Sequence, residues 1–515
     1  MRTDRHRLTL AACIAALAAT AALAGPAALA SAPSGGAGRA APAPGPGCRP
    51  SSPAVAYRPD QPGPLSPQPD GAPVPCLVAT GFGGAETQVA VTSDGTVVYE
   101  PAILTPGLLG TGFVNGAPGP RLSTQLSPGG LSVSSSQGAQ WSFVPPAGAT
   151  WVPQDDAVYV DRRTGRIFFY ALAANPVPAG GSVPLAHQLP AGYAHLMVSG
   201  DDGRSWTETA LPGFVESENP RFASGPPPAG QPLPSGYPDV AYWCGNDTVN
   251  LGAPLPTYRA CYRSLDGGRN WQFASILASS PVPQHQACGT SGETLTPDDP
   301  NYPEAAPDGS LYAEINCGSS TFLARSTDEG STWPLLTTAS GAPVSVPVDG
   351  ELRVGSDGTL FLVNQPSATA IALRVSTDGG RSWGPPEQLT PAGTGTIVQW
   401  AVAERGSGTL ALSYLVQRGS SAAYDGYLTW TASAAGPDPL LWAAALNPAS
   451  SPMRTSAPGP GRDDFIGVDV APDGTPWAGF PATCPGPVAG SPACAGQASN
   501  PEANEAVAGR LALRP

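Results

Sequence analysis

Four acidic residues stand directly before apolar, strand-like runs. They are Asp156 in Gln-Asp-Asp-Ala-Val-Tyr, Asp239 in Tyr-Pro-Asp-Val-Ala-Tyr, Glu304 in Tyr-Pro-Glu-Ala-Ala and Asp464 in Arg-Asp-Asp-Phe-Ile. Carboxylates gathered on one face raise one another's pKa, and such a group could bind a cation such as calcium or the hydroxyls of a sugar. Two that face each other could do acid/base work on a glycosidic bond. The plainer role for each is to cap backbone N–H groups where a loop becomes a strand. Tyr237, Tyr242, Trp243 and Tyr302 lie close by in sequence and suit stacking on a sugar ring, or packing beneath one face. Glu216, Glu218 and Arg221 fall in Val-Glu-Ser-Glu-Asn-Pro-Arg, which reads as a long polar loop, the kind of segment that carries function on a rigid scaffold. His187, His195 and His285 have no partner at helical spacing and no nucleophile elbow beside them. No CxxC spacing occurs, so no metal–thiolate site is expected.

The elements that must position these residues are strands. The chain has 515 residues, with 63 Gly and 63 Pro, a density of helix breakers that excludes a helical bundle or coiled coil. Its 11 Trp and 14 Tyr argue against disorder and for a packed core, which leaves short strands joined by tight turns. Every basic side chain is Arg, and the net charge of −14 repels phosphate backbones, so a nucleic-acid partner is not expected.

The turns repeat. Ser199-x-Asp201-x-Gly203-x-Ser205-Trp206, Ser264-x-Asp266-x-Gly268-x-Asn270-Trp271, Ser326-x-Asp328-x-Gly330-x-Thr332-Trp333 and Ser376-x-Asp378-x-Gly380-x-Ser382-Trp383 share one pattern. A decayed copy runs from Ser134 through Ser136 and Gly138 to Trp141. Counting from Ser136, the Asp positions fall 65, 65, 62 and 50 residues apart, the period of a stacked supersecondary unit. A second turn, Asp-Gly between apolar runs, recurs at Asp94-Gly95, Asp308-Gly309, Asp357-Gly358 and Asp473-Gly474 and signals a hairpin. Each unit therefore reads as four antiparallel strands, one propeller blade. The fold expected is all-β: a single β-propeller over 76–515 with seven blades, six being the alternative if one terminal segment is an accessory strand pair. The blade cores fall near 86–145, 155–211, 236–277, 302–338, 346–389, 397–446 and 465–514, the sixth and seventh without a clear box. In such a ring the four acidic residues would precede innermost strands and crowd together at one end of the channel.

The four boxes resemble the Asp-box, or bacterial neuraminidase (BNR) repeat, of the sialidase superfamily. The resemblance covers about 130–450 directly. It implies that Asp201, Asp266, Asp328 and Asp378 are peripheral structural turns rather than parts of a reactive centre. It also implies what a sialidase would need: an Arg cluster for the substrate carboxylate, a Tyr nucleophile backed by Glu, and an acid/base Asp. No matching context is found. Tyr57-Arg58-Pro59 is the nearest approach to the family's opening motif, and Arg121, Arg221, Arg259, Arg353, Arg405, Arg454 and Arg462 are scattered. The reading is a secreted sialidase-like propeller that binds an extracellular glycan or protein. The alternative is an exo-acting glycoside hydrolase, a divergent sialidase or a cleaver of neutral polysaccharide, using channel-face carboxylates. Three Arg converging on one face would favour the sialidase; a carboxylate pair in an Arg-poor cleft would favour the neutral-glycan hydrolase.

Residues 1–30 read as a secretory leader: Arg2, Arg5 and Arg7 precede the apolar stretch Leu8 to Leu23, and Ala28-Leu29-Ala30 is a small-x-small cleavage site. No membrane span is expected after it. Residues 31–75, rich in Ala, Pro, Gly and Ser, read as a flexible linker. Cys13 leaves with the leader, and eight cysteines remain. Sequential pairing, Cys48 with Cys76, Cys244 with Cys261, Cys288 with Cys317 and Cys484 with Cys494, is the simplest of the many connectivities open to them. A monomer is expected.

Overall fold

The computed structural model describes residues 45–513 apart from 85–86, 101–130, 145–151, 175–194, 212–216, 232, 234–235, 248–256, 281, 290–292, 294, 296–302, 349, 459–464, 489 and 495–503. The leader, Tyr302 and Asp464 lie outside the described residues, as do Glu216 and His187. The described residues hold antiparallel sheet and two short 3-10 turns, and no helix among them is long and apolar enough to cross a membrane.

Seven sheets form a seven-bladed β-propeller, each starting with an innermost strand. Those strands are Gln88–Val91, Val152–Val160, Ser217–Gly225, Glu304–Ala305, Glu351–Val354, Ile397–Arg405 and Gly467–Val470, which number the blades one to seven. Neighbouring inner strands run the same way. The amide of Val91 donates to Asp469, that of Val402 to Glu351, and that of Ser356 to the Gly406 carbonyl. In blades one to six the chain steps outward strand by strand. The seventh takes its outermost strand from far upstream: Val74–Gly83 pairs with Asn504–Ala512 and closes the ring.

That closure explains the missing seventh box. The box links the third strand of a blade to its fourth, as between His195–Ser199 and Thr207–Ala210, and the seventh blade has no such connection. Two boundaries differ from the sequence reading. Val55–Tyr57, inside the stretch taken as linker, pairs with Leu441–Ala445 as a fifth strand of blade six, with Ala56 and Tyr57 fully buried. The third blade begins at Ser217 rather than at 236. Its inner strand carries Pro220 and Arg221, and the Pro-rich 226–239 is the connection to its second strand Val240–Asp247, not a gap between blades.

The core is distributed between blades. Phe168, Tyr170 and Val198 of blade two pack with Phe222, Trp243 and Trp271 of blade three. Phe361 and Leu373 of blade five pack with Leu412 and Tyr414 of blade six in the same manner. The box turns fix the rims of these interfaces. In each, the Ser hydroxyl donates to the Asp carboxylate at 2.8 Å and accepts the Gly amide, as in Ser264, Asp266 and Gly268. The same carboxylate accepts the amide of the residue four further on, Ser205, Asn270, Thr332 or Ser382. Gly268 has φ +86°, and a Cβ there would lie 2.7 Å from Phe168 of the preceding blade, so the position needs glycine for conformation and for space. The decayed copy keeps the turn: Ser134 accepts the Gly138 amide at 2.9 Å, and the Ser136 hydroxyl replaces the carboxylate, accepting the Gln140 amide at 2.8 Å.

All four sequential disulfides are present: Cys48–Cys76, Cys244–Cys261, Cys288–Cys317 and Cys484–Cys494.

Candidate functional site

The inner strands enclose an axial cavity of about 600 Å³. Strand geometry decides what lines it. Successive side chains of an inner strand point to opposite faces of the blade, so charges two apart share a face. Glu351 and Arg353 are such a pair, bonded to each other at 3.0 Å. Arg353 also reaches Glu304 of blade four at 3.1 Å and the Val402 carbonyl of blade six at 2.9 Å, tying three blades together. Arg405 donates to the Val470 carbonyl of blade seven at 2.8 Å. Arg162, from the turn after the inner strand of blade two, donates to Asp469 of blade seven at 2.8 Å and to the Glu404 carbonyl of blade six. Arg221 lies on the inner strand of blade three, over the Phe465 ring at 5.5 Å. Tyr159 bonds Ser224 of blade three at 3.0 Å.

The electrostatics are those of dense, confined charge. Burial pushes the Glu404 carboxyl up to about 8, with the charges of Glu304 and Asp357 adding to the rise against Arg162 and the Gly408 amide. Burial also raises Glu304, although Arg353 and Arg162 oppose it. Burial works against the charge on Arg353, but Glu351 and Glu304 more than restore it. Arg405 lacks that degree of compensation, and burial together with Arg162 lowers it. Toward the turn end of the channel, Asp239 is raised by burial and by Asp161 while Arg163 holds it at 3.1 Å.

The sequence candidates divide. Glu304 opens the inner strand of blade four and lines the cavity. Asp239 lines it too, but from the start of the second strand of blade three, so its expected position before an innermost strand is corrected. Asp156 falls within the inner strand of blade two, and its side chain is outside the described residues. Arg221 belongs to an inner strand, not to a loop, because the polar run 217–225 pairs with Val240–Asp247. Tyr242 and Trp243 are buried at 2% and 0% exposure, so neither can stack on a ligand. Trp243 packs on Tyr170 at 5.6 Å and Tyr262 at 5.9 Å, because the second strand of a blade is covered on both faces. Tyr237 is committed to the turn end, donating to Asp161 and lying under Arg166 at 4.6 Å. Arg162, Glu351, Glu404 and Asp469 were not singled out from sequence. Their signal was the charged residue placed in or just after an otherwise apolar first strand of each unit. Among the described residues, no group of three or more His, Cys, Asp or Glu side chains is arranged to hold a metal ion.

No protein-family model and no curated protein matches the chain. Among solved structures, it is similar to a Hadza microbial sialidase at 17% identity, covering 71% of this chain and 66% of that one, with a TM-score of 0.39. The GH93 α-L-arabinofuranosidase of Fusarium graminearum in complex with arabinobiose is similar at 14% identity, with 72% and 96% covered and a TM-score of 0.38. The NanB sialidase from Streptococcus pneumoniae is similar at 12% identity, with 88% and 71% covered and a TM-score of 0.38.

Proposed function

We propose that the protein is a secreted propeller that binds a neutral glycan in its axial cavity. The observation that carries this reading is the lining itself, where guanidinium groups of Arg162, Arg353 and Arg405 stand among the carboxyls of Glu304 and Glu351. A sugar hydroxyl both donates and accepts, so it is served by donors and acceptors set side by side. Several Arg do converge, but Arg353 is held by two carboxylates and Arg162 by one. That pairing leaves little positive surplus for a carboxylate-bearing sugar, which favours a neutral one. The leader-like residues 1–30 and the four disulfides accord with an oxidising, extracellular compartment.

Retention of arabino-, xylo-, cello- and malto-oligosaccharides, with sialosides alongside, tests the reading. A neutral series should be retained by the wild type and lost on Glu351→Gln. Retention of sialosides alone, or of nothing, would reject it.

A second reading, glycoside hydrolysis, is favoured by one further observation. Burial raises the Glu304 carboxyl on the cavity that Glu351 also lines, and Arg353 bonds both, so two carboxyls face one space as glycoside cleavage needs. Release of reducing sugar that disappears in Glu304→Gln, with retention intact, would establish it. Retention without release leaves binding as the whole function.

A further inference from the structure

We infer that Arg162 bars the channel, so that the cavity takes the end of a glycan chain rather than a chain threaded through it; this rests on the glycan reading above. In the ring, blade two adjoins blades one and three. Arg162 nevertheless bonds the Glu404 carbonyl of blade six and Asp469 of blade seven. Its side chain therefore crosses the axis, whereas Arg353 and Arg405 run along the wall between neighbouring blades. The far anchor is fixed: Asp469 is 6% exposed, and its second oxygen accepts the Val91 amide at 2.7 Å. The Arg162 side chain is 38% exposed and helps line the cavity.

The strap lies toward the turn end of the inner strands. Tyr159 is level with Ser224 through their hydrogen bond, and Arg221 is three residues upstream of Ser224. At the rise of an extended strand, that sets Arg221 about 10 Å along the axis from the Tyr159 level. Arg221 and Phe465 thus border the part of the cavity on the other side of the strap from the turns. A saccharide arriving from their side meets a guanidinium across its path. The first sugar can bond to that group, and the rest of the chain must leave by the way it came.

The test titrates the protein calorimetrically with two length fractions of the linear polymer of whichever neutral series is retained, arabinan, xylan, cellodextrin or amylose. Binding at chain ends halves the number of sites per gram when the chain length doubles. A number of sites per gram that does not change with length overturns the inference and leaves glycan binding standing. Retention of no series overturns both. Arg162→Ala, folded by far-UV circular dichroism, is expected to give length-independent sites per gram, and continued counting of ends in this variant assigns the barrier elsewhere and overturns the role of Arg162. The strap is also tested without ligand. Arg162→Ala and Asp469→Asn should each lower the melting temperature, and the double variant should melt no lower than the weaker single. Fully additive shifts would mean that the two groups are not joined in solution, and the inference would fall.

Discussion

The carboxylates of the rim turns and those of the axis are the same chemical group in opposite circumstances. Asp378 sits exposed in its turn and is held down to about 2, first by the Ser382 hydroxyl, then by the Ser382 amide and the Ser376 hydroxyl. Asp201 is lowered in the same way by Ser205. Burial opposes the effect at Asp266 and Asp328, yet donors from Asn270 and Thr332 outweigh it. On the axis, burial wins: Glu304 and Glu404 are raised although arginines stand beside them. The lesson is that a carboxylate's role follows from who donates to it. Local backbone and hydroxyl donors make a fixed structural anion. Burial that neighbouring guanidiniums do not offset makes a carboxyl that holds its proton more readily.

The contrast can be broken most forcefully at Arg353. Arg353→Ala leaves Glu304 and Glu351 without their cation and should cost about 3–5 kcal/mol in chemical denaturation, together with glycan retention. The next effect is a difference in pH windows. Glu404 is raised in the fold, so its contribution is complete below about pH 4.5 and lost as pH rises toward about 8, a change of a few kcal/mol. Melting curves of Glu404→Gln should lack that decline. The rim carboxylates behave in the reverse sense. Their folded pKa is depressed, so their contribution is present above about pH 4 and is lost as pH falls through the folded value, about 2 for Asp378. A protein whose stability rises from pH 5 to 8 would contradict the axial assignment.

Smaller effects sharpen the comparison at the rim. Ser376→Ala removes the acceptor of the Gly380 amide and a donor to Asp378, and should cost about 1–3 kcal/mol without touching retention. Loss of retention in that variant would mean that rim and axis are not independent. Ser136→Asp restores the carboxylate to the decayed copy, where Gln140 already offers its amide, and should add about 0.5–1 kcal/mol to the stability of the first blade. A neutral result by thermal melting would show that the hydroxyl serves that turn as well as a carboxylate does.

How far these two regions could be read from the sequence differs for the same reason. The rim is local. Residues within one run of eight make the bonds of the turn, so the four copies disclose blades and spacing from sequence alone. The axis is non-local: Arg162 meets Asp469 from 307 positions away, and Arg353 meets Glu304 from 49. Scattered Arg residues could not be seen to converge until the ring was closed. Trp243 shows the complementary error, an aromatic near a polar turn that proves to be interior, because burial depends on which strand of the blade carries it. The third blade was misplaced because Pro and Gly at 226–239 punctuate a turn within a blade with the same residues that punctuate a boundary between blades.

The pairing of Val74–Gly83 with Asn504–Ala512 sets a timetable for synthesis. The first partner leaves the ribosome more than four hundred residues before the second, and throughout that interval it is an unsatisfied edge, open to pairing with another chain. Six blades can form in order as the chain emerges, each against its predecessor. The last waits for both ends of the ring, and with it waits the alignment of Asp469 with Arg162 across the axis. The slowest step of assembly should therefore be the one that completes the cavity, so that a nascent chain acquires its structure gradually and its binding site all at once.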